Sequence, residues 1–430
     1  MPQPIVPFGK QFREKFFAHI DPKYVPVNHG SYGVTPEPVF NKFKEHILED
    51  FKNSDHYIKV EQPQVYKEAL KELAQFFHCD YRNLAIVDNA TSGVNTVLRS
   101  LPFEKGDKIV IPTTVYGACG NTVKFLENRY GIQPILIQLD YPLEDSEIIG
   151  KFEKVFKTES PKLALIDTII SMPGVRFPFE EVTALCHKYG VLSLIDGAHS
   201  AGLIPIDLDN LKPDFYTSNL HKWLYVPRGT AVLYVDKKNH RQIHTMPVSH
   251  SYLDDKAVVS EEEEDNWLVD RFTFYGTKNF ANIAVIKDAI KFRATEAGGE
   301  EAIHDYCFDL ARKAGDVVSK IWDSPVLENK ARDLSNTMVT VEFPNERYNI
   351  HIRDLKKNIG PVFEYIFSKM FAENTYVPLV IHNEKLYGRF SAQVYNELSD
   401  YKYAAEVVAK VFESLANDPN YKKLIRKEHL

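Results

Sequence analysis

Cysteine is scarce in this sequence of 430 residues, which has four cysteines and no Cys-x-x-Cys pair. The scarcity argues against a disulfide framework and against a cysteine-ligated zinc site. Isolated thiols suit a reducing compartment, so we expect the protein in the cytoplasm. The four cysteines are Cys79, Cys119, Cys186 and Cys307.

Positive charge and long apolar runs are lacking as well. The formal net charge is −7 at pH 7, which gives no electrostatic basis for a nucleic-acid partner. No apolar run approaches the length of a membrane span, and residues 1–17 lack the basic and then apolar pattern of a signal peptide. The last three residues, Glu-His-Leu, resemble a peroxisomal Ser-Lys-Leu ending only loosely. We expect no nucleic acid and no membrane among the partners.

Nucleotide and metal motifs are also missing. Neither a Walker motif nor Gly-x-Gly-x-x-Gly occurs, which disfavours ATP and NAD as ligands. His240 and His244 have the spacing of a helical zinc pair, but no glutamate follows His240, so we expect no metal site. Ser249 and His250 fit an active-site loop and a solvated loop equally well.

The sequence does contain a regular alternation of short apolar runs and longer amphipathic stretches. The alternation predicts βα units and an α/β fold with a mainly parallel sheet. The predicted strands are 84–88, 108–112, 134–138, 163–167 and 191–196, with a further strand-like run at 231–235.

The alternation ends after Val235. Residues 279–322 have a helical pattern that is interrupted at Gly298-Gly299. After it, the pattern predicts strands and helices of a smaller α+β domain, at 337–343, 352–371, 377–392 and 400–415. We predict three parts in all: an N-terminal segment 1–40 that packs across both domains, a large domain 41–295 and a small C-terminal domain 296–430.

Polar residues follow several predicted strands, at the sheet edge where doubly wound proteins bind ligands. Thr91 and Ser92 lie at the start of a predicted helix, where they either cap the helix or cradle an anion such as phosphate. Tyr116 follows the second strand, where its ring either stacks on a flat ligand or covers the core. Asp196 ends the fifth strand, and it either caps the next helix or pairs with a protonated ring nitrogen.

Lys222 lies in the stretch SNLHKWLYVPRG, between a histidine and a tryptophan. Its side chain is either an apolar stem with the ammonium group in solvent or a buried amine with a chemical role. A phosphate cup, a flat aromatic ring, a buried carboxylate and a lysine along one sheet edge together match the needs of pyridoxal 5′-phosphate. We therefore interpret Lys222 as the lysine that binds this cofactor covalently.

The motifs around these residues resemble those of a known family. Three are similar to the class V aminotransferases among the fold-type I pyridoxal phosphate enzymes: LIDGAHSAG (194–202), TSNLHKWLYVPRGTAVLYV (217–235) and FYGTKN (274–279). Two more resemble the isopenicillin N epimerase-like branch, which includes cysteine desulfhydrases and fungal hercynylcysteine sulfoxide lyases: VNHGSYGVTP (27–36) and YGRFSAQVYN (387–396). Two stretches look most like the sulfoxide lyases, SMPGVRFPFEEV (171–182) and DHYIKVEQP (55–63).

The resemblance implies a fold and roles for individual residues. The fold is a large domain with a mainly parallel seven-stranded sheet, followed by a smaller α+β domain. Lys222 attaches the cofactor, and Asp196 pairs with its ring nitrogen. Tyr116 covers the ring face, His199 lies near the ring oxygen, and Ser171 matches a position that contacts the ring hydroxyl, with less polar neighbours than in relatives. The phosphate is held by Thr91, Ser92, Ser218 and His221.

Further positions bear on the substrate and on assembly. Arg389 matches the arginine that holds the substrate carboxylate, a role that suits a planar donor with two prongs. His29 and Ser31 are expected to line the mouth of the substrate site. Thr277 lies in a loop that reaches the phosphate of the other subunit in the family, which implies a homodimer with a shared site.

The choice of reaction depends on the step after removal of the Cα proton, for which Lys222 is the natural base. Persulfide transfer needs a reactive cysteine, and Cys307 lies inside a predicted helix, which disfavours that outcome. Epimerisation needs a second base that the sequence does not identify. β-Elimination needs only an acid for the leaving group, either Tyr116 or a water.

We therefore predict a pyridoxal phosphate-dependent carbon–sulfur lyase. Its substrate is an S-substituted L-cysteine, of the hercynylcysteine sulfoxide type in ergothioneine biosynthesis, or L-cysteine itself. The products are pyruvate, ammonia and a sulfur compound. The alternatives are an epimerase or aminotransferase of the isopenicillin N epimerase type, and a protein of this fold that binds the cofactor without turnover.

Overall fold

A computed structural model describes residues 3–425 of the chain. The Glu-His-Leu ending lies outside these residues. No helix within the described range is both long enough and apolar enough to cross a membrane.

A seven-stranded sheet forms the centre of the large domain. The order across it is β1-β7-β6-β5-β4-β2-β3. β7 runs antiparallel to both of its neighbours, and the other four pairings are parallel. The strands are β1 (Leu84–Val87), β2 (Lys108–Pro112), β3 (Gln133–Ile137), β4 (Leu163–Asp167), β5 (Leu192–Asp196), β6 (Phe215–Asn219) and β7 (Ala231–Val235).

Burial of the strands on both faces explains their apolar sequences. Every residue of β1, β4, β6 and β7 is buried, because helices cover both sides of a mainly parallel sheet. Only the edge strand β3 is largely open to solvent. The helices of this part are Gln62–Phe77, Ala90–Ser100, Gly117–Tyr130, Asp145–Glu159, Phe179–Tyr189, Leu208–Leu211, Leu220–Trp223, Glu261–Asp265, Trp267–Thr273, Ala281–Ala284 and Ile286–Thr295.

The predicted long helix 279–322 is divided where the sequence has two glycines. One helix ends at Thr295, and the next, Glu300–Trp322, starts after Gly298 and Gly299. Both glycines adopt positive φ angles, 78° and 93°, which other residues rarely do. A side chain at Gly298 would also collide with the backbone nitrogen of Pro4.

A three-stranded antiparallel sheet with order β8-β10-β9 forms the second, smaller layer. Its strands are β8 (Met338–Glu342), β9 (Leu379–His382) and β10 (Lys385–Ser391). The predicted helix 352–371 is two helices that meet at Asn358, and the final predicted helix is slightly longer than expected. The helices here are Glu300–Trp322, Ile352–Lys357, Ile359–Ala372, Leu398–Asn417 and Pro419–Ile425.

The N-terminal segment packs against the smaller layer as well as the larger one. The Ser391 N–H at the end of β10 donates to the Val27 carbonyl, and Val25 forms a bridge with Thr375. Arg228 of the large domain donates to the Tyr32 carbonyl. The helices of the N-terminal segment are Lys10–Phe16 and His29–Tyr32. The helix Glu37–Lys52 starts in this segment and continues into the large domain, where Ser54–His56 and a π-helical turn at Tyr57–Glu61 follow.

Candidate active site

A cavity of about 390 Å³ opens at the carboxyl ends of the parallel strands. It collects most of the residues that the sequence singled out: Ser31, Thr91, Tyr116, Ser171, Asp196, His199, His221 and Lys222. A larger groove of about 700 Å³ between Gln75 and His304 contains none of the predicted residues, so we place the chemistry in the smaller cavity.

A short chain of hydrogen bonds fixes the Lys222 amine. The Nζ atom lies 3.1 Å from Nε2 of His199, and the indole N–H of Trp223 donates to Nδ1 of His199 over 3.3 Å. An indole N–H can only donate, so Nδ1 is the acceptor and Nε2 carries the proton. His199 therefore donates to Lys222, whose nitrogen accepts with its lone pair.

The electrostatic surroundings also favour a neutral amine. Burial and the charge of Arg389 lower the pKa of Lys222 to about 8. Burial and the charge of Lys222 hold the pKa of His199 well below its usual value. A lysine must be unprotonated to attack a carbonyl carbon, so the lowered pKa gives this amine a larger reactive fraction near neutral pH than an ordinary lysine has.

Asp196 has the surroundings of a buried carboxyl that binds a ring nitrogen. It is the last residue of β5 and is buried, and burial raises its pKa. The Ala198 N–H donates to Oδ1 over 3.0 Å, and the Cys119 thiol donates to Oδ2 over 3.3 Å. These bonds hold the carboxyl group at the cavity wall. A protonated ring nitrogen would supply the positive charge that stabilises a buried carboxylate.

The helix Ala90–Ser100 begins at the cavity, and the structure decides which residue caps it. Asn89 is the cap, because its side chain accepts the Ser92 N–H over 2.8 Å. The Ser92 hydroxyl also donates to Asn89, and Ser92 is not among the residues that line the cavity. Thr91 faces the cavity at the positive end of the helix, where an anion is favoured.

Two of the predicted phosphate residues lie elsewhere in this chain. Ser218 is fully buried, and its hydroxyl donates to the Gly197 carbonyl over 2.5 Å and accepts the Ala201 N–H. Thr277 is exposed in the loop between two helices and does not line the cavity of its own chain. Ser218 thus supports the loop after β5 rather than the cavity wall.

Arg389 reaches the site from β10 as a buried cation. Its guanidinium donates to the Ser171 carbonyl, to Oδ1 of Asn28 over 3.1 Å and to Oγ of Ser31 over 2.9 Å. No carboxylate within residues 3–425 pairs with it, and its Nε has no partner there. Burial lowers its pKa to about 10, yet it stays charged at neutral pH. A side chain at Gly174 would collide with the arginine stem, so this glycine makes room for it.

His29 lies one layer behind the cavity. It is buried, its Nδ1 is 2.8 Å from the Tyr395 hydroxyl, and its ring packs against Trp223. Tyr116 stands at the opening, half exposed, just before the helix Gly117–Tyr130. Tyr32 lies at the same opening and is even more exposed.

The sequence reasoning missed several lining residues. Asp167 ends β4 just as Asp196 ends β5, so the same signal, an acid after an apolar run, was present. Asn219 ends β6 and accepts the Ala90 N–H through its side chain. The missed residues are Tyr32, Asn89, Asp167, Ile169, Ala198 and Asn219.

Residues considered for other chemistry are placed in structural roles. Cys307 is buried in the helix Glu300–Trp322, as predicted, and burial raises its pKa to about 12, which disfavours a reactive thiolate. His240 bonds to the Val235 carbonyl and His244 to the Thr245 carbonyl. No group of three or more metal-binding side chains occurs in the described part of the chain.

The residues at the cavity fit pyridoxal 5′-phosphate. The Lys222 amine, the Asp196 carboxyl and the helix start at Thr91 offer partners for its carbonyl carbon, ring nitrogen and phosphate. The Arg389 guanidinium, which donates only to neutral groups and whose Nε has no partner within residues 3–425, is a further anion partner beside the cavity. The fold and this site define a fold-type I pyridoxal phosphate enzyme. The chain belongs to the class V aminotransferase family, which it matches over residues 35–359.

Comparison with known proteins gives the same result. The chain is 30% identical to hercynylcysteine sulfoxide lyase of Schizosaccharomyces pombe, over 93% of this chain and 97% of the relative. It is 31% identical to an L-cysteine desulfhydrase-like protein of Epichloe uncinata, over 96% and 97%. A cystine C–S lyase structure shares the fold, with a TM-score of 0.72, 17% identity and coverage of 91% and 97%. The predicted family, cofactor and carbon–sulfur lyase class are confirmed.

Proposed function

We propose that this enzyme breaks the bond between Cβ and sulfur in an S-substituted L-cysteine and releases pyruvate, ammonia and a sulfur product. The observation that carries the proposal is Arg389, a buried cation without a carboxylate partner among residues 3–425, near the Lys222 amine, whose pKa is lowered to about 8. A buried arginine of this kind suits the α-carboxylate of an amino acid. The preferred substrate is a sulfoxide of the hercynylcysteine type, since a relative bears that name, with L-cysteine as the other candidate.

The roles of the residues are derived from their positions. Arg389 binds the substrate carboxylate and so points Cα toward Lys222. The bound cofactor withdraws electrons from Cα, which makes its proton acidic. Lys222 takes that proton, because burial lowers the pKa of its amine to about 8 and makes the unprotonated form accessible near neutral pH. Tyr116, or a water at the opening, protonates the departing sulfur. Thr91 and His221 hold the phosphate, and Ser171 contacts the ring hydroxyl.

We also propose a homodimer in which the opening of the cavity is covered by a second copy. Tyr32 and Tyr116 are exposed at the opening, and the helix Glu37–Lys52 exposes Leu48 and Phe51 to 62% and 76%. Exposed apolar patches of this kind typically mark interfaces. Thr277 is exposed as the family role requires, and it would reach the partner's phosphate.

The unpaired cysteines support the cytoplasm as the location.

The test is release of pyruvate from the cofactor-loaded enzyme with L-cysteine and, separately, with an S-alkyl-L-cysteine sulfoxide. We expect pyruvate from at least one substrate, a faster rate with the preferred oxidation state of sulfur, and none from Lys222→Ala. Cys307→Ser should leave the rate unchanged, because the mechanism does not use that thiol. Absence of pyruvate with both substrates, while the cofactor is bound, would exclude simple β-elimination of them.

A further inference from the structure

A second buried carboxyl group lies in the cavity beside Asp196. β4 ends at Asp167 and β5 at Asp196, and the parallel register pairs these two residues directly. Neighbouring strands are about 4.8 Å apart, and residues paired in this way project to the same face of a sheet. Both side chains are only 4% exposed, and both line the cavity. The sheet therefore holds two carboxyl groups next to each other in a poorly hydrated site.

The two carboxyl groups have different surroundings. Asp196 accepts hydrogen bonds from Ala198 and Cys119, and the nearby Lys222 favours its charged form. Asp167 has no hydrogen-bond donor for its side chain among residues 3–425. Burial and the charge of Asp196 both raise the pKa of Asp167 well above its usual value. Two like charges at such a spacing do not both form in a buried site, and Asp196 is better placed to hold the charge.

Asp196 is the charged group that acts on Asp167 among the described residues. The Cys119 thiol and the Tyr141 phenol also lie near the pair, and both have raised pKa values, so they stay protonated. Lys222 is a basic group near Asp196, His199 lines the same cavity, and Arg389 lies near Lys222.

We propose that Asp167 is a neutral carboxylic acid that donates its O–H to Asp196 and leaves Asp196 as the only carboxylate facing the cofactor ring nitrogen. A protonated carboxyl has one O–H donor, and a buried donor needs an acceptor. Asp167 is thus a positioning residue, which acts on the cofactor through Asp196. The inference concerns the cofactor site and does not depend on which amino acid is the substrate.

Infrared spectroscopy tests the protonation state directly, in the apoprotein and in the cofactor-loaded enzyme. At neutral pH, the wild-type protein should show the C=O band of a protonated carboxylic acid, and Asp167→Asn should remove it. A wild-type protein without such a band, or a band that survives the substitution, would overturn the proposal. The wild-type spectrum alone decides the first point, even if the variant does not fold.

Cofactor affinity gives a second, independent readout. Asparagine has the shape of a neutral acid and keeps a donor, so the dissociation constant of Asp167→Asn should lie within about threefold of the wild-type value. Asp196→Asn, the matched control, removes the charge itself and should weaken binding at least about tenfold. If Asp167→Asn weakens binding as much as the control does, Asp167 is charged and the proposal is wrong. Neither readout requires turnover, so failure of the proposed reaction would not affect the result.

Discussion

At the scale of single residues, the proton on His199 decides the state of the catalytic amine. Because the Trp223 indole occupies Nδ1, the proton of His199 resides on Nε2 and points at Lys222. With the opposite tautomer, Nε2 would accept from a lysine ammonium and stabilise the unreactive form. Trp223, next to the catalytic lysine in sequence, therefore acts on it through a histidine from another loop.

We expect Trp223→Phe to raise the pKa of Lys222, because His199 is then free to turn its acceptor nitrogen toward the amine. In the wild-type apoprotein, the rate of covalent cofactor capture should rise as pH increases through about 8, where Lys222 loses its proton. In the variant, the midpoint should move up by about one pH unit, which corresponds to the free energy of one hydrogen bond. The measurement is the capture rate against pH, followed by cofactor absorbance.

Trp322→Phe is the matched control, since its indole also donates one buried hydrogen bond, to the Ala405 carbonyl. This variant should lose similar stability and keep the wild-type midpoint. An equal shift in both variants would mean that the midpoint reports general loosening rather than the tautomer of His199.

Arg389 illustrates a conflict between stability and function. Its buried charge has no carboxylate partner within residues 3–425, and its hydrogen bonds go to the neutral groups of Ser171, Asn28 and Ser31, so Arg389→Met should lower the free energy of unfolding of the apoprotein by no more than about 1 kcal/mol. The same change should lower kcat/KM at least about 100-fold, through loss of the charged hydrogen bonds to the substrate. Urea unfolding and steady-state kinetics measure the two effects.

The contrasting variant is Arg293→Met. Arg293 is equally buried, but it pairs with Glu300 and donates to the Trp223 and Gly202 carbonyls, so its loss leaves buried acceptors unsatisfied. We expect a loss of about 3 kcal/mol or more in the free energy of unfolding. Equal destabilisation by the two substitutions would contradict the view that Arg389 is kept for the substrate.

At the scale of secondary-structure elements, the glycine pair between helices determines where the N-terminal segment docks. Gly298→Ala should destabilise the protein by more than about 2 kcal/mol for two reasons. Alanine is strained at the positive φ of this position, and its methyl group would collide with the backbone of Pro4. Gly106→Ala separates the two effects, since Gly106 has a similar φ of 94° and open space around it. That control should lose only about 1–2 kcal/mol. Thermal unfolding measures both, and similar losses would rule out the clash.

Element patterns also explain what the sequence could and could not predict. The apolar strands that carry Asp196 and the helix that starts near Thr91 were predictable, because a buried parallel sheet needs continuous apolar runs. β6 was not recognised from its pattern, since its second half is polar although fully buried. That omission affected the prediction for one site residue, Ser218. Alternation along β6 turns Asn219 toward the helix start and Ser218 to the opposite side.

Side-chain choices between equivalent hydrogen bonds lay beyond the sequence. Asn89, Thr91 and Ser92 are all suited to a helix start, and only the folded backbone shows that Asn89 caps it and Thr91 faces the cavity. The position of His29 behind the cavity likewise depends on its contact with Tyr395, which is distant in the sequence.

At the scale of the whole molecule, the proposed dimer makes the site depend on protein concentration. Phe51→Asp should weaken self-association, because it places a charge in the exposed apolar stripe of the helix Glu37–Lys52. Cofactor affinity should fall together with the dimer fraction, since the partner's Thr277 no longer reaches the phosphate. Sedimentation analysis and cofactor titration measure the two quantities.

Leu136→Asp provides the control for that experiment, because Leu136 is similarly exposed but lies on the edge strand β3. It should leave both association and cofactor affinity unchanged. A Phe51→Asp protein that stays dimeric would place the interface on another surface.

The pairing of the N-terminal segment with β10 has a consequence for the order in which a newly made chain becomes competent. Asn28 and Ser31 precede Lys222 in the chain, and they contact Arg389, which follows it. All seven strands of the large sheet are also made before Arg389. A chain still in synthesis therefore contains the lysine proposed to attach the cofactor before it contains the arginine proposed to bind the substrate.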